Sequence, residues 1–253
     1  MKLIASVLLV STALSVCAAP YPANSTLGER SLEERATGVV TTCKTKGHAA
    51  LTFDDGPYYG ATAGKTIANA GGKATFFVNG NNWDCIYNRA DTIKALYSQG
   101  HVIGSHTWSH PDITQISAAQ LNNQLDLVER ALKKILGVKP RFFRPPYGSV
   151  NDAQVKILQQ RGYTVVNWNF DSGDSMGKSA SESIAAYKRL SYPNAVIALN
   201  HDTNKPTVDV VVPAAVSALK SKGYKLVSIS ECLGQSAYQS VGTPGQRDSS
   251  WKC

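Results

Sequence analysis

The sequence predicts a single α/β domain built on a parallel sheet of about seven strands. Three features carry that reading. An amphipathic helix, a glycine and a short β-rich run recur in that order four times. The length of 253 residues suits one domain of barrel size with a large core. The apolar run Ala50–Phe53 leads straight into Asp54-Asp55-Gly56-Pro57, two carboxylates where a buried strand gives way to a turn. Such strand ends are where α/β folds place active sites.

The elements follow in order. Ala49–Phe53 is the first strand. Helix Ala61–Ala70 passes through Gly71-Gly72 into strand Ala74–Val78, and helix Asp91–Ser98 passes through Gly100 into strand His101–Ile103. The longest helix begins at the N-cap Ser117. Its Leu121, Leu125, Val128, Leu132, Ile135 and Leu136 recur at three- and four-residue steps, drawing one apolar stripe, and Gly137 stops it. Arg141–Arg144 is the fourth strand. Helix Asp152–Gln160 leads through Gly162 to strand Tyr163–Trp168, Ala195–Asn200 is the sixth strand, and helix Val208–Lys220 leads through Gly223 to strand Tyr224–Ile229. Glycine after a helix is the left-handed C-cap, and strands alternating with helices imply parallel βα units.

The ends read differently. Lys2, the apolar run Leu3–Val16 and the small residues Cys17-Ala18-Ala19 form a secretory signal peptide over residues 1–19. The apolar run is short for a membrane span, and no second one follows. Residues 20–42 form a pro-segment or N-terminal extension with one glycosylation acceptor, Asn24. The folded domain is expected over 43–232 and a Ser/Gly/Gln-rich surface tail over 233–253. Once Cys17 leaves with the signal, Cys43, Cys85, Cys232 and Cys253 remain, an even set that allows three pairings. The expected pairing is Cys43–Cys232 with Cys85–Cys253. The first bridge ties the start of the domain to its last strand, a closure worth on the order of 4 kcal/mol in the chain-entropy model.

The formal charge of +8 and the pI near 9.2 raise nucleic acid or an anionic surface as partners. The basic residues are scattered, without a run or interleaved aromatics, and the chain reads as secreted. Nucleic acid is therefore excluded, and the charge is read as solubility or attraction to an acidic wall. No helix offers a second apolar face, so a monomer is expected.

The chemistry gathers at strand ends. Neighbouring side chains of a strand point to opposite faces, so Asp54 and Asp55 share a direction only if the strand is ending. An Asp-Asp-Gly turn alone is usually just solvated. The third strand, however, runs into His106-Thr107-Trp108-Ser109-His110. On one helical turn that spacing puts two imidazoles on one face, about 6 Å apart at Cβ, right for one metal ion. With Asp55 they would make a two-His, one-carboxylate set that leaves positions open for water and substrate. Arg144 ends the fourth strand, where a buried cation would orient Asp54 and lower its pKa. Pro145-Pro146 stiffens the next turn, making the Tyr147 N–H a candidate oxyanion donor. The fifth strand ends near Asp171 and Asp174, and the sixth ends in Leu199-Asn200-His201. A carboxylate beside His201 would hold it as a general acid.

T-F-D-D-G-P at 52–57, H-T-W-S-H at 106–110, R-P-P-Y at 144–147, the Asp171–Asp174 stretch and L-N-H at 199–201 resemble, in order, the five motifs of the polysaccharide deacetylases. These are the enzymes of carbohydrate esterase family 4, or NodB-homology domain. The resemblance spans roughly residues 45 to 232, and the layout is most similar to secreted fungal chitin deacetylases. It implies a distorted (β/α) barrel lacking a strand pair, consistent with a count of seven. It implies one divalent ion, zinc or cobalt, on Asp55, His106 and His110, and chitin or chitooligosaccharides as substrate. Asp54 would be the general base, Arg144 its partner, His201 the general acid and Asp174 its tuning carboxylate, with Asp171 the lesser candidate. Leu199 would line the acetyl pocket. Ser175 stands where the family usually has an aromatic, which leaves that wall of the pocket open to question.

Two other readings compete. An O-acetyl esterase acting on xylan would use the same site. A catalytically silent wall-binding protein would need only aromatic faces such as Trp83, Trp108, Tyr147 and Trp168; it has no need of five intact polar site residues.

Overall fold

The computed structural model describes residues 38–253. The expected signal segment, Asn24 and the extension up to residue 37 lie outside these residues. The strands are β1 (Val39–Val40), β2 (His48–Gly56), β3 (Thr75–Val78), β4 (Val102–Ser105), β5 (Val138–Pro140), β6 (Phe142–Phe143), β7 (Thr164–Val166), β8 (Phe170–Asp171), β9 (Val196–His201), β10 (Lys225–Leu226) and β11 (Tyr238–Val241). The helices are α1 (Gly60–Asn69), α2 (Ala90–Ser98), α3 (Ala118–Leu136), α4 (Asp152–Gln160), α5 (Ala180–Arg189), α6 (Val212–Ser221) and α7 (Ile229–Leu233).

Among the described residues the main sheet has nine parallel strands in the order β1-β7-β6-β4-β3-β2-β9-β8, with β10 beside the start of β2. The sheet curls into an open half-barrel, and its two edge strands, β1 and β8, are not paired with each other. Alternation sorts the two faces. Ala49, Leu51 and Phe53 of β2 face the helical layer, packed with Ile67 of α1, Ile93 and Leu96 of α2 and Leu219 of α6. Ala50 faces inward with Phe77, Phe142, Val166 and Ile197. Phe143 and Val165, each the neighbour of an inward residue, meet Leu121 and Leu125 of α3 and Leu158 of α4 outside. In α3 the Ser117 side chain accepts from the Gln120 N–H, Gln120 answers on the Ser117 N–H, and Gly137 ends the helix at φ 75°.

All seven expected strands are present. The two unanticipated ones in this sheet, β1 and β8, are two-residue pieces, too short to carry a period. Several boundaries move. Val39–Val40 pairs with β7, so the domain begins before Cys43. The last strand is only Lys225–Leu226, and Cys232 lies in α7, where it still bonds Cys43. Val208–Lys220 is not one helix: a π-helical turn, Thr207–Val211, precedes α6. Helix α5 was not anticipated, because it buries little beyond Ser183 and Tyr187. The tail is part of the domain. Its strand β11 pairs antiparallel with β5, Trp251 is buried against Tyr87, and Cys253 bonds Cys85.

That last bridge forms a strap. Cys85 lies on the loop after β3, and this loop backs the one after β4. Gly80 and Asn81 donate their N–H groups to the Trp108 carbonyl, at 3.0 and 2.7 Å. Asn79 Nδ2 donates to the carbonyls of His106 and Thr107, at 2.5 and 3.1 Å. A Cβ on Gly80 would lie 1.8 Å from the Trp108 ring, so only glycine fits there.

Candidate active site

Strand alternation fixes the first group. Asp54 lies two residues beyond Thr52, on the inward face. Arg144 Nη1 donates to both, at 2.6 Å to Thr52 Oγ1 and 2.9 Å to Asp54 Oδ1. Its Nε and Nη2 donate to the carbonyls of Val166 and Asn167, each at 3.2 Å. The guanidinium is fully buried, 4.4 Å from the Phe77 ring centroid. This arginine is the barrel's internal cation, and Asp54 is its counter-ion.

Asp55 would point the other way on a regular strand. Instead the β2–β3 register shifts between Phe53 and Gly56, and Asp55 takes φ 69°. That left-handed turn returns its carboxylate to the cleft. His106 continues β4, while His110 is reached through a loop, not along a helical turn as its spacing suggested. Thr107 and His110 adopt φ 70° and 59° to fold the loop back. Asp55 Oδ1 then lies 3.1 Å from His110 Nε2 and 3.6 Å from His106 Nε2. Tyr147, at φ 60°, stacks edge-on against His110 with ring centroids 4.7 Å apart. These four are all the non-glycine residues with positive φ among those described, and strain of this kind persists where surrounding structure over-determines it.

Asp55, His106 and His110 fit a divalent cation. The His106 Nδ1–H donates to the Arg144 carbonyl at 2.7 Å, leaving the Nε2 lone pair aimed at Asp55. Asp55 Oδ1 is buried and takes no aligned hydrogen bond. Burial keeps His106 neutral by lowering its pKa, against the pull of Asp54 and Asp55. Burial also pushes the Asp55 carboxyl up, but the contact with His110 and the electrostatic pull of the surrounding histidines outweigh it, so it stays below the usual range. A neutral His106 imidazole and an ionised Asp55 carboxylate are ligand forms that suit a metal.

The opposite wall comes from β9. Asp54 and His201 are paired residues on adjacent strands. Leu199, two residues before His201 and paired with Thr52, is buried on that same inward face. Asp174, rather than Asp171, meets the histidine: Asp174 Oδ1 accepts from His201 Nδ1 at 2.8 Å. Burial opposes the charged imidazole, but Asp174 outweighs it and raises the His201 pKa to about 9. Asp171 Oδ1 instead accepts from the Gly173 N–H at 2.7 Å, shaping the turn.

Of the aromatics, Trp83 is 61% and Tyr147 62% exposed at the rim, whereas Trp108 packs over Gly80 and against the core. Trp168 stacks on the Arg144 guanidinium, at 5.5 Å. Both Trp108 and Trp168 remain partly exposed. The cleft, about 420 Å³, is lined by Asp55, Trp83, Asp174, Ser175, His201 and Lys205 among others. Ser175 leaves its wall open.

Sequence reasoning missed Asp202. It is fully buried, and burial pushes its carboxyl up to about 7. It fills the notch between Gly56 and Gly60, where a Cβ would come within 2.3 and 2.4 Å of its Oδ2. The signal was present as a further acid beside a strand end, but no spacing tied it to that turn.

A half-barrel with a two-His, one-carboxylate set facing a His–Asp pair defines a metal-dependent hydrolase. The chain belongs to the polysaccharide deacetylase family, whose pattern matches residues 41–166. A chitin deacetylase from a Pestalotiopsis species is 36% identical over 224 residues, 86% of this chain and 75% of that one. The chitin deacetylase of Colletotrichum lindemuthianum is 37% identical over 77% of this chain and 83% of its own length. The solved structure of a chitin deacetylase from that fungus superposes with a TM-score of 0.75, covering 78% of this chain and 92% of that one. The family is metal-dependent. Among the described residues no helix is long and apolar enough to cross a membrane.

Proposed function

We propose that this protein hydrolyses the N-acetyl groups of N-acetylglucosamine residues in chitin or chitooligosaccharides, releasing acetate and leaving free amines. The observation that carries the reading is the placement of a buried carboxylate, Asp54, beside the candidate metal ligands and across one strand pair from a charged histidine, His201. The two most similar relatives described above are both chitin deacetylases. Zinc or cobalt is the proposed ion. Two disulfides and relatives named as chitin deacetylases support secretion, and a monomer is the proposed state.

When bound, the cation supplies Lewis-acid polarisation of the acetyl carbonyl and makes water more acidic at neutral pH. Asp54, held in place by the Arg144 guanidinium, takes a proton from the attacking water as its oxygen bonds to the carbonyl carbon. The Tyr147 N–H steadies the resulting oxyanion. His201 gives its proton to the nitrogen as the C–N bond breaks, because an amide anion is a very poor leaving group. Leu199 contacts the acetyl methyl.

The test is acetate release from short N-acetylglucosamine oligomers by purified protein, with chelator and then with zinc or cobalt restored. Metal-restored release supports the amidase. Release from acetylated xylan alone would move the reading to an O-acetyl esterase. Binding to chitin with no release from either would leave a wall-binding protein.

A further inference from the structure

After His201 the chain does not leave the site but wraps round Asp174. The His201 N–H donates to Asp174 Oδ2 at 2.8 Å, while its imidazole holds Oδ1. Asn204 Nδ2 donates to the Asp174 carbonyl at 2.9 Å. Thr207 Oγ1 donates to Oδ2 at 2.8 Å. His201, Asn204 and Thr207 stand three residues apart, so one short segment grips the carboxylate, its backbone and the histidine together.

Thr207 has two further marks. It is 1% exposed, and it opens the π-helical turn that leads into α6. A π turn carries an extra residue and poorer hydrogen bonds, and such turns collect at functional sites. Its hydroxyl caps neither the π turn nor α6. Asp202 on this segment turns into the notch between Gly56 and Gly60, and Lys205 and Asp209 pair with each other on the exposed side.

We propose that Thr207, backed by Asn204, is a positioning residue for the acid step. This rests on the reading of His201 as the proton donor. The terminal torsion of an aspartate is broad and weakly defined. Without Thr207, one backbone N–H would hold Oδ2 and the carboxylate plane could swing. With it, Oδ2 has two donors from different elements, Oδ1 stays on His201 Nδ1, and His201 Nε2 is presented to the departing amine. The β-branched side chain of threonine is stiff about χ1, which suits that task.

The experiment compares T207V, which keeps the shape and removes the donor, with T207S, which keeps the hydroxyl, and with H201A. Each zinc-loaded protein is given an N-acetylglucosamine tetramer and 4-nitrophenyl acetate, whose leaving group needs no acid. T207V is expected to lose on the order of tenfold or more in amide kcat. Its KM and its ester rate should stay near wild type, and T207S should recover most of the amide rate. H201A should show the same amide-selective loss, only larger. Equal losses on both substrates in T207V, or no loss on the amide, would reduce Thr207 to a packing residue and overturn the proposal. If H201A itself lost both rates alike, the acid reading would fall and this proposal with it. Should T207V not fold, T207A against T207S reads the same contrast.

Discussion

The two walls of the cleft are built in opposite ways. On the metal side, Asp55, Thr107, His110 and Tyr147 all sit in left-handed backbone, and a fully buried arginine anchors the base. Residues from three separate stretches are bent toward one point, and the bending costs on the order of 1–3 kcal/mol per residue. On the acid side, His201, Asn204 and Thr207 hold Asp174 with ordinary hydrogen bonds, and none of these four residues has a positive φ. One wall depends on the whole barrel being folded. The other is nearly complete within one loop and the seven residues that close over it. Convergence of charge requires strain, whereas orientation of a single proton donor requires only a clasp.

The strongest break of this contrast is D54N. It should remove about a thousandfold or more of amide turnover while leaving the cation bound. It should also destabilise the fold by about 3 kcal/mol, because Arg144 loses its counter-ion in the core. Thermal melting and metal analysis check both. A stable D54N protein with normal turnover would sink the assignment of the base.

D174N is the matching break on the other wall. About a hundredfold loss on the amide is expected, with little loss on an activated ester and a smaller loss of stability than in D54N, because His201 can give up its proton where Arg144 cannot. Comparable melting losses in the two variants would erase the distinction between the walls.

The pH dependence sharpens it. The His201 pKa is raised to about 9, so the pair stabilises the fold fully below the unfolded value near 6.5. That stabilisation disappears as pH rises through 9. NMR titration of the imidazole in metal-free protein should give a value near 9, falling toward 6.5 in D174N.

The smallest effect is expected from G80A. The added methyl meets the Trp108 ring and should cost about 1–3 kcal/mol. Metal affinity should weaken with it, while the H201A signature on amide against ester is unchanged. Full metal affinity in G80A would show that the loop behind the ligands does not hold them.

Legibility in the sequence followed the same division. Asp54, Asp55, His106, Arg144 and His201 stand next to strand ends, and strands with a clear apolar run announce where they end. Those residues and the parallel sheet were readable for that reason, whereas the disulfide pairing was one choice among three that the cysteine count left open. The route by which His110 reaches its partners was not, because it depends on left-handed torsions at Thr107 and His110 that no periodicity records. Thr207 and Asp202 were hidden differently. Each acts on a segment distant in sequence, Thr207 on Asp174 and Asp202 on the Gly56–Gly60 turn, and only tertiary packing creates those pairs. Strands β1 and β8 have two residues each and exist because longer neighbours offer them an edge.

The strap from Cys253 to Cys85 has a practical consequence for anyone preparing this protein. The loop it pins is the backing of the histidine loop, through Gly80, Asn81 and Asn79. Protein made in a reducing cytosol would share the sequence and nearly the mass of the oxidised form, yet carry its histidines on a slack mount. Batches would then differ in how much metal they retain, and the free-thiol content of each batch would account for a variation that looks like poor purification.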